Sequence, residues 1–184
     1  MKHAQIACLT GCVVALIAVL AVTPGSWTYY RFKTDRYDYA SEAEALGASV
    51  KLFGATMAGF YMTGGNPEGL NSFPANPLVK RRVFMDLNGL LMSKQIFVMD
   101  RDTRELRDLV FLSPVHAVVV TDENWFFAYQ DAETRRPLST KKFSKLTIRY
   151  YMKKKWGKWI VMDYDVFDRE DTLPPLLKEK ILQW

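Results

Sequence analysis

The stretch that decides the fold is residues 146–167, LTIRYYMKKKWGKWIVMDYDVF. Leu146, Ile148, Tyr150 and Met152 alternate with Thr147, Arg149, Tyr151 and Lys153. That period of two is expected of a strand with one buried face. Residues 154–158 hold a turn with Gly157 at its tip, and residues 159–167 return as the last long strand. Working upstream, residues 96–99, 109–112 and 115–120 read as short strands, the last two bent at Ser113-Pro114. Asp122-Glu123-Asn124 reads as a turn, after which residues 125–129 pair back, and Arg135-Arg136-Pro137 marks a further loop.

Ahead of these strands the period changes to that of helices. Ala43, Leu46, Val50, Phe53, Met57 and Tyr61 recur at steps of three and four. Ser41 is the expected cap, Glu42 and Glu44 favour the first turn, and Gly64-Gly65 stops the helix. Gly47, Gly54 and Gly59 each cost about 1 kcal/mol against Ala in a helix. They predict close approach to another backbone. Asn76-Pro77 reads as an N-cap followed by Pro at the first helical position. Val79, Val83, Leu87 and Leu91 share one face of this second helix, which Asn88-Gly89 is expected to break early.

Helices first, then hairpin-connected antiparallel strands, make an α+β domain over residues 41–168, with the helices packed on one face of the sheet. A chain of 184 residues with 49% hydrophobic residues can bury such a core without staples. Two cysteines, Cys8 and Cys12, exclude a disulfide scaffold, and two histidines, His3 and His116, leave no His/Cys cluster for zinc.

Residues 4–22 are a 19-residue run, apolar but for Gln5, Thr10 and Gly11. As a helix it spans about 28 Å, close to a bilayer's hydrocarbon core. Pro24-Gly25 ends it, and Trp27, Tyr29 and Tyr30 follow as an interfacial cluster. We read residues 1–26 as an uncleaved membrane anchor and 27–40 as a juxtamembrane linker. Two readings compete. One is a cleaved signal peptide with Val19-Leu20-Ala21 as its site. The other is a lipoprotein, on Leu9-Thr10-Gly11-Cys12. Arg31, Lys33 and Arg36 against Lys2 argue for a cytoplasmic domain, whereas a short N-terminal tail before a single run argues for export, which we favour. The domain itself carries no Cys, which fits an oxidising compartment.

Tyr150-Tyr151, the basic turn Lys153-Lys154-Lys155, Gly157-Lys158-Trp159, Val161 and Asp163-Tyr164 resemble the closing hairpin of the nuclear transport factor-like superfamily. In that superfamily helices pack inside a strongly curved, cone-like antiparallel sheet. With one N-terminal membrane helix added, the chain looks like the bitopic inner-membrane assembly proteins of type IV secretion and conjugation machines. This resemblance implies a single-pass bacterial inner-membrane protein. Its domain would be periplasmic, contact other envelope proteins and self-associate. The superfamily also holds carriers and isomerase- or dehydratase-type enzymes, so fold does not settle activity. The three roles separate on the cone's interior. An empty, closed cone goes with a scaffold, and a deep open cavity with convergent polar groups goes with a carrier or an enzyme.

The residues name no catalytic set, cofactor or metal. His116 sits in a strand run, and Asp163 and Asp165 are conceivable partners that no spacing rule brings to it. Phosphate loops, nucleophile elbows and metal-ligand spacings do not appear in the sequence. Charge is segregated instead. Residues 138–162 carry Lys141, Lys142, Lys145, Arg149, Lys153, Lys154, Lys155 and Lys158 and no acid, while acids crowd residues 100–133. Read as a contact surface, this stretch suits anionic lipid or an acidic partner. Nucleic acid is disfavoured, because an exported domain does not meet it. Residues 169–184 read as an amphipathic tail helix whose Leu177, Ile181 and Trp184 are expected to dock on the domain or a partner. The expected partners are thus membrane lipid through residues 4–22, other envelope proteins and a second copy of the chain. The role expected first is that of a non-enzymatic assembly component.

Overall fold

A computed structural model describes residues 27–30, 38–65 and 69–174. In chain order these form β1 (Trp27–Tyr30), α1 (Tyr39–Thr63), α2 (Gly69–Ser72), α3 (Pro77–Met92), β2 (Gln95–Ser113), β3 (His116–Asp131), β4 (Lys142–Lys155) and β5 (Lys158–Asp168). The sheet order is β1-β2-β3-β4-β5. Strands β2 to β5 form an antiparallel meander, and β1 adds in parallel to the free edge of β2. The sheet curls into a half-barrel with α1 and α3 against its inner face, the α+β architecture expected.

Helix α1 begins earlier than the sequence suggests. Asp38, not Ser41, is its cap, with Oδ1 accepting from the Ser41 N–H at 3.1 Å. Gly64 ends it in the left-handed region, φ 80°. Leu46, Val50, Phe53, Met57 and Phe60 form its buried stripe. The expected close backbone approach is absent at Gly47 and Gly59, where an added Cβ would meet nothing within 4 Å. In α3, Asn76 caps as expected, its Oδ1 accepting from Val79 N–H at 2.8 Å, and Pro77 opens the helix. Asn88-Gly89 does not break it. Burial of Val79, Val83 and Leu87 outweighs the roughly 1 kcal/mol cost of one helical glycine. Leu91, expected on the same face, is 43% exposed.

The strands depart further from the sequence reading. The segments 96–99 and 109–112 are two ends of one 19-residue strand, β2. Its polar middle stays in the ladder, with register shifts between Arg101 and Thr103, Leu106 and Asp108, and Phe111 and Ser113. Asp122-Glu123-Asn124 is no turn but the middle of β3, paired with β2 on one side and β4 on the other. The turn lies earlier, between Ser113 and His116. At Lys155–Lys158 the hairpin is of the expected kind, with Trp156 and Gly157 both at positive φ, 49° and 77°.

Nor is β4 half-buried. Its core face carries Ile148, Tyr150 and Met152, but Thr147, Arg149 and Tyr151 are also 5% exposed or less. After β5 the chain folds back over the outer face. Leu173 packs with Val118, Val120 and Tyr151, and Arg149 Nη2 donates to the Pro174 carbonyl at 2.7 Å. Residues 169–174 are turn and extended chain rather than the start of a helix. The rest of the expected tail helix, with Leu177, Ile181 and Trp184, lies outside the described residues, as does the expected anchor, residues 4–22. Among the described residues no helix is long and apolar enough to cross a membrane. Trp27–Tyr30, read as part of a linker, is strand β1.

Candidate functional site

The main core packs α1 and α3 onto the inner sheet face through Phe53, Val83, Phe111, Val119, Tyr150 and Val161. It fills the half of the cone toward the Ser113–His116 and Lys155–Lys158 turns. Toward the other end, where β2 starts and β5 finishes, the packing opens into a cavity of about 640 Å³. Phe53, Met57 and Leu90 from the helices and Met99, Trp125 and Phe127 from the sheet are among its walls. Its mouth is half in water. Met85 is 60% exposed, Val166 50% and Tyr129 40%.

Polar groups gather on one side. Tyr61 donates to Asp86 Oδ2 at 3.2 Å, and the Arg82 guanidinium lies 4.3 Å from the Tyr164 ring centre while bonding Asp163 Oδ1 at 3.1 Å. Burial first, and then Asp86, push the Tyr61 phenol well above its usual range. Burial likewise raises Tyr164, with Arg82 opposing. Both tyrosines are among the residues that line the cavity. Among the described residues that line the cavity, Asp86 is the one carboxylate.

Beneath this lining lies the group that the sequence misplaced in a turn. Glu123 is fully buried on the inner face of β3. Its Oε1 accepts from Thr121 Oγ1 at 2.8 Å and from Tyr150 OH at 3.1 Å, and its Oε2 accepts from Trp125 Nε1 at 2.9 Å. Arg104 is its register partner on β2, which sets a guanidinium on the same face. Each donor alternates onto the inner face with Glu123, and that is how one buried charge is tolerated. The sequence signal was the pattern Thr121-x-Glu123-x-Trp125, legible only once residues 116–131 are known to be one strand.

His116 lies at the other end of the sheet. Its Nδ1 is 3.0 Å from Ser113 Oγ and Lys153 is its register partner. Asp163 is paired with Arg82, and Asp165 accepts from Tyr151 OH at 2.7 Å, so the conceivable His–Asp pairs are not assembled; β4 stands between them. Burial, and then Lys153, hold the His116 pKa below its usual 6.5. A His depressed in the fold is protonated more readily in the unfolded chain. Its contribution is therefore whole above pH 6.5 and lost as pH falls from there toward the folded pKa. Replacing His116 with Gln should flatten that acid-side loss and leave stability at pH 8 within about 0.5 kcal/mol. Urea melts at pH 5.5 and 8 check this; a steeper acid loss in the variant would contradict it.

The basic stretch does not form one surface. Lys142 and Lys154 are 12 residues apart on β4, about 40 Å along the strand. Lys141, Lys142 and Lys145 lie at the open end, and Lys153, Lys155 and Lys158 at the other. Arg149 is buried at 5% exposure and tied to Pro174. Lys154 turns inward and pairs with Glu42 at the start of α1, which also accepts from Trp159 Nε1 at 2.7 Å. Among the described residues no group of three His, Cys, Asp or Glu is placed to hold a metal ion.

No family model and no curated protein matches this chain. Among solved structures it is similar to the intermembrane space region of the chloroplast protein ARC6, at 12% identity and a TM-score of 0.58, over 72% of this chain and 98% of that one. It also aligns with a hexachlorocyclohexane dehydrochlorinase (LinA) type 2 at 8% identity and a TM-score of 0.41, over 74% and 99% of the two chains, a likeness too slight to argue from. The first comparison agrees with an α+β fold of helices on a curled antiparallel sheet and speaks to fold alone.

Proposed function

We propose that this chain is a non-enzymatic, membrane-tethered component of an envelope protein complex, and that its cone cavity is the site where an apolar segment of a partner protein docks. The cavity is open, the form expected of a carrier or an enzyme; what turns the reading toward a docked protein segment is how much of its mouth stands in water. It has about 640 Å³ of aromatic and methionine-lined space, with a mouth whose walls at Met85, Val166 and Tyr129 stand in water. A small-molecule site buries most of its ligand. A half-exposed apolar mouth suits side chains carried by a larger body, and methionines adapt to their shape. Chemistry is poorly served, because Glu123 is sealed under its three donors and His116 is at the far end. The tether rests on the apolar run 4–22, and the place in a secretion or conjugation machine on the resemblance of the whole chain to such assembly proteins.

A second reading is favoured by the Tyr61–Asp86 pair and by Arg82 beside Tyr164. A small apolar molecule with one polar head would find its hydrogen bonds there, and the chain would then be a carrier.

Gly89 makes the test clean. It lines the cavity from an exposed turn of α3, and an added Cβ there would meet nothing within 4 Å. Gly89→Leu should stabilise α3 by up to about 1 kcal/mol through helix propensity while obstructing the mouth. Photo-cross-linking from position 85 in native membranes should give a protein adduct that Gly89→Leu removes. An unchanged adduct pattern would remove the cavity from the contact. A co-purifying small molecule released by denaturation would move the carrier reading to first place.

A further inference from the structure

The outer face of the sheet is closed, although α1 and α3 lie on the inner one. Two rows of residues cross it in register. Arg149 on β4, Val120 on β3 and Asp108 on β2 form one row, and Tyr151, Val118 and Val110 form the next, with β1 bordering both. Val118 is 0% exposed, Tyr151 3%, Val120 4%, and Val110 and Arg149 5% each. Asp108 Oδ1 is buried there too, without a hydrogen-bond partner. A sheet covered on one side leaves such residues in water unless a second layer lies over them. Among the described residues, the partly buried apolar side chains packed on Val118, Val120 and Tyr151 are those of Leu112, in β2 itself, and Leu173. One leucine above the face does not seal two rows that run across three strands.

The chain that follows Leu173 starts in the right place to finish the cover. Arg149 Nη2 holds the Pro174 carbonyl at 2.7 Å, so residue 175 leaves from the β4 end of the first row. Only residues 175–184 remain. As a helix they span about 15 Å, and the steps from β4 across β3 and β2 to β1 take about 14 Å. Leu177, Ile181 and Trp184 recur at steps of four and three, which sets them on one stripe, with Glu179 on the opposite side. The stripe is apolar where the rows beneath it carry Val120, Val118 and Val110.

We infer that residues 175–184 are a strap that crosses the outer face from β4 toward β1 and lays Leu177, Ile181 and Trp184 on Val120, Val118 and Val110. The strap is independent of the membrane tether and of the cavity's guest. It gives the outer face to the chain's own end and leaves the cavity mouth, on the other side of the sheet, free for a partner.

The test uses the full chain in detergent micelles, with Cys8 and Cys12 replaced by Ser. Val120→Cys puts a thiol on the outer face, and Val119→Cys puts one beside it on the inner face, where Val119 belongs to the main core. Both thiols should resist a maleimide in the full chain. Removing residues 175–184 should speed the reaction at 120 by about tenfold or more and leave that at 119 unchanged, because the outer face alone opens. The untruncated chain gives a second reading. A spin label on Gln183→Cys, off the apolar stripe, should broaden the methyl signals of Val110 and Val118. It should spare those of Val98, about 40 Å back along β2. If truncation unfolds the domain and both thiols react, the spin label decides. Equal protection at 120 with and without the tail assigns the cover to residues ahead of Trp27 and overturns the inference. So does a label at 183 that leaves Val110 and Val118 sharp.

Discussion

Glu123→Ala should destabilise the domain by about 3–5 kcal/mol, the range seen when one partner of a buried ionic network is removed. The change strands three buried donors at once, Thr121 Oγ1, Tyr150 OH and Trp125 Nε1, and leaves the positive charge of Arg104 without the carboxylate opposite it in the ladder. Each orphaned donor bears the full cost of its desolvation. For a domain of this size the melting temperature should fall by about 10 °C. Glu123→Gln keeps the shape but turns one acceptor into an NH₂ group facing a donor, and should lie between wild type and Ala. Thermal and urea unfolding followed by Trp fluorescence check both. A loss below about 1 kcal/mol for Ala would mean that the network is not formed in solution.

Phe53→Ala should cost a similar 3–5 kcal/mol. Phe53 is fully buried in α1 and is the hub of the aromatic core. It stacks on Phe73 at 4.8 Å and meets Tyr150 and Tyr164 edge-on at 5.8 and 5.4 Å. Removing the ring breaks contacts to α1's neighbours on both β4 and β5 and leaves a void. Because Phe53 also forms part of the cavity wall, that void should join the existing cavity. Phe53→Leu retains most of the volume and should cost about 1–2 kcal/mol, chiefly the lost ring–ring geometry. Equal losses for Ala and Leu would show that ring geometry, not volume, dominates. An Ala variant as stable as wild type would mean that α1 does not sit on the sheet as described.

The two substitutions probe different layers of legibility. Phe53 was readable from sequence, because its spacing with Leu46, Val50 and Met57 is that of one helix face. Glu123 was not. A charged triplet in the middle of a strand reads as a turn unless one knows that three donors await the carboxylate. Those donors come from positions 121 and 125 on the same strand and position 150 on the next. The basic stretch misled in the opposite way. Eight like charges in sequence suggest one face, yet a strand about 40 Å long sends them to opposite ends, while Arg149 and Lys154 leave the surface for Pro174 and Glu42.

By itself the sequence determined that two long helices precede the antiparallel hairpins, the caps at Asn76 and Gly64, the closing hairpin at Gly157 and the class of fold. Each of these rests on contacts between near neighbours in the chain, where period, cap and turn chemistry act over a few residues. Only the tertiary structure decided that residues 95–113 are one strand, that β1 closes the edge of the sheet, that β4 is buried on both faces, and that the cone keeps an open cavity at one end. These depend on pairing and burial between segments far apart in sequence. A strand's buried faces are set by what covers it, and a charge's place by which distant donors meet it; local patterns hold neither.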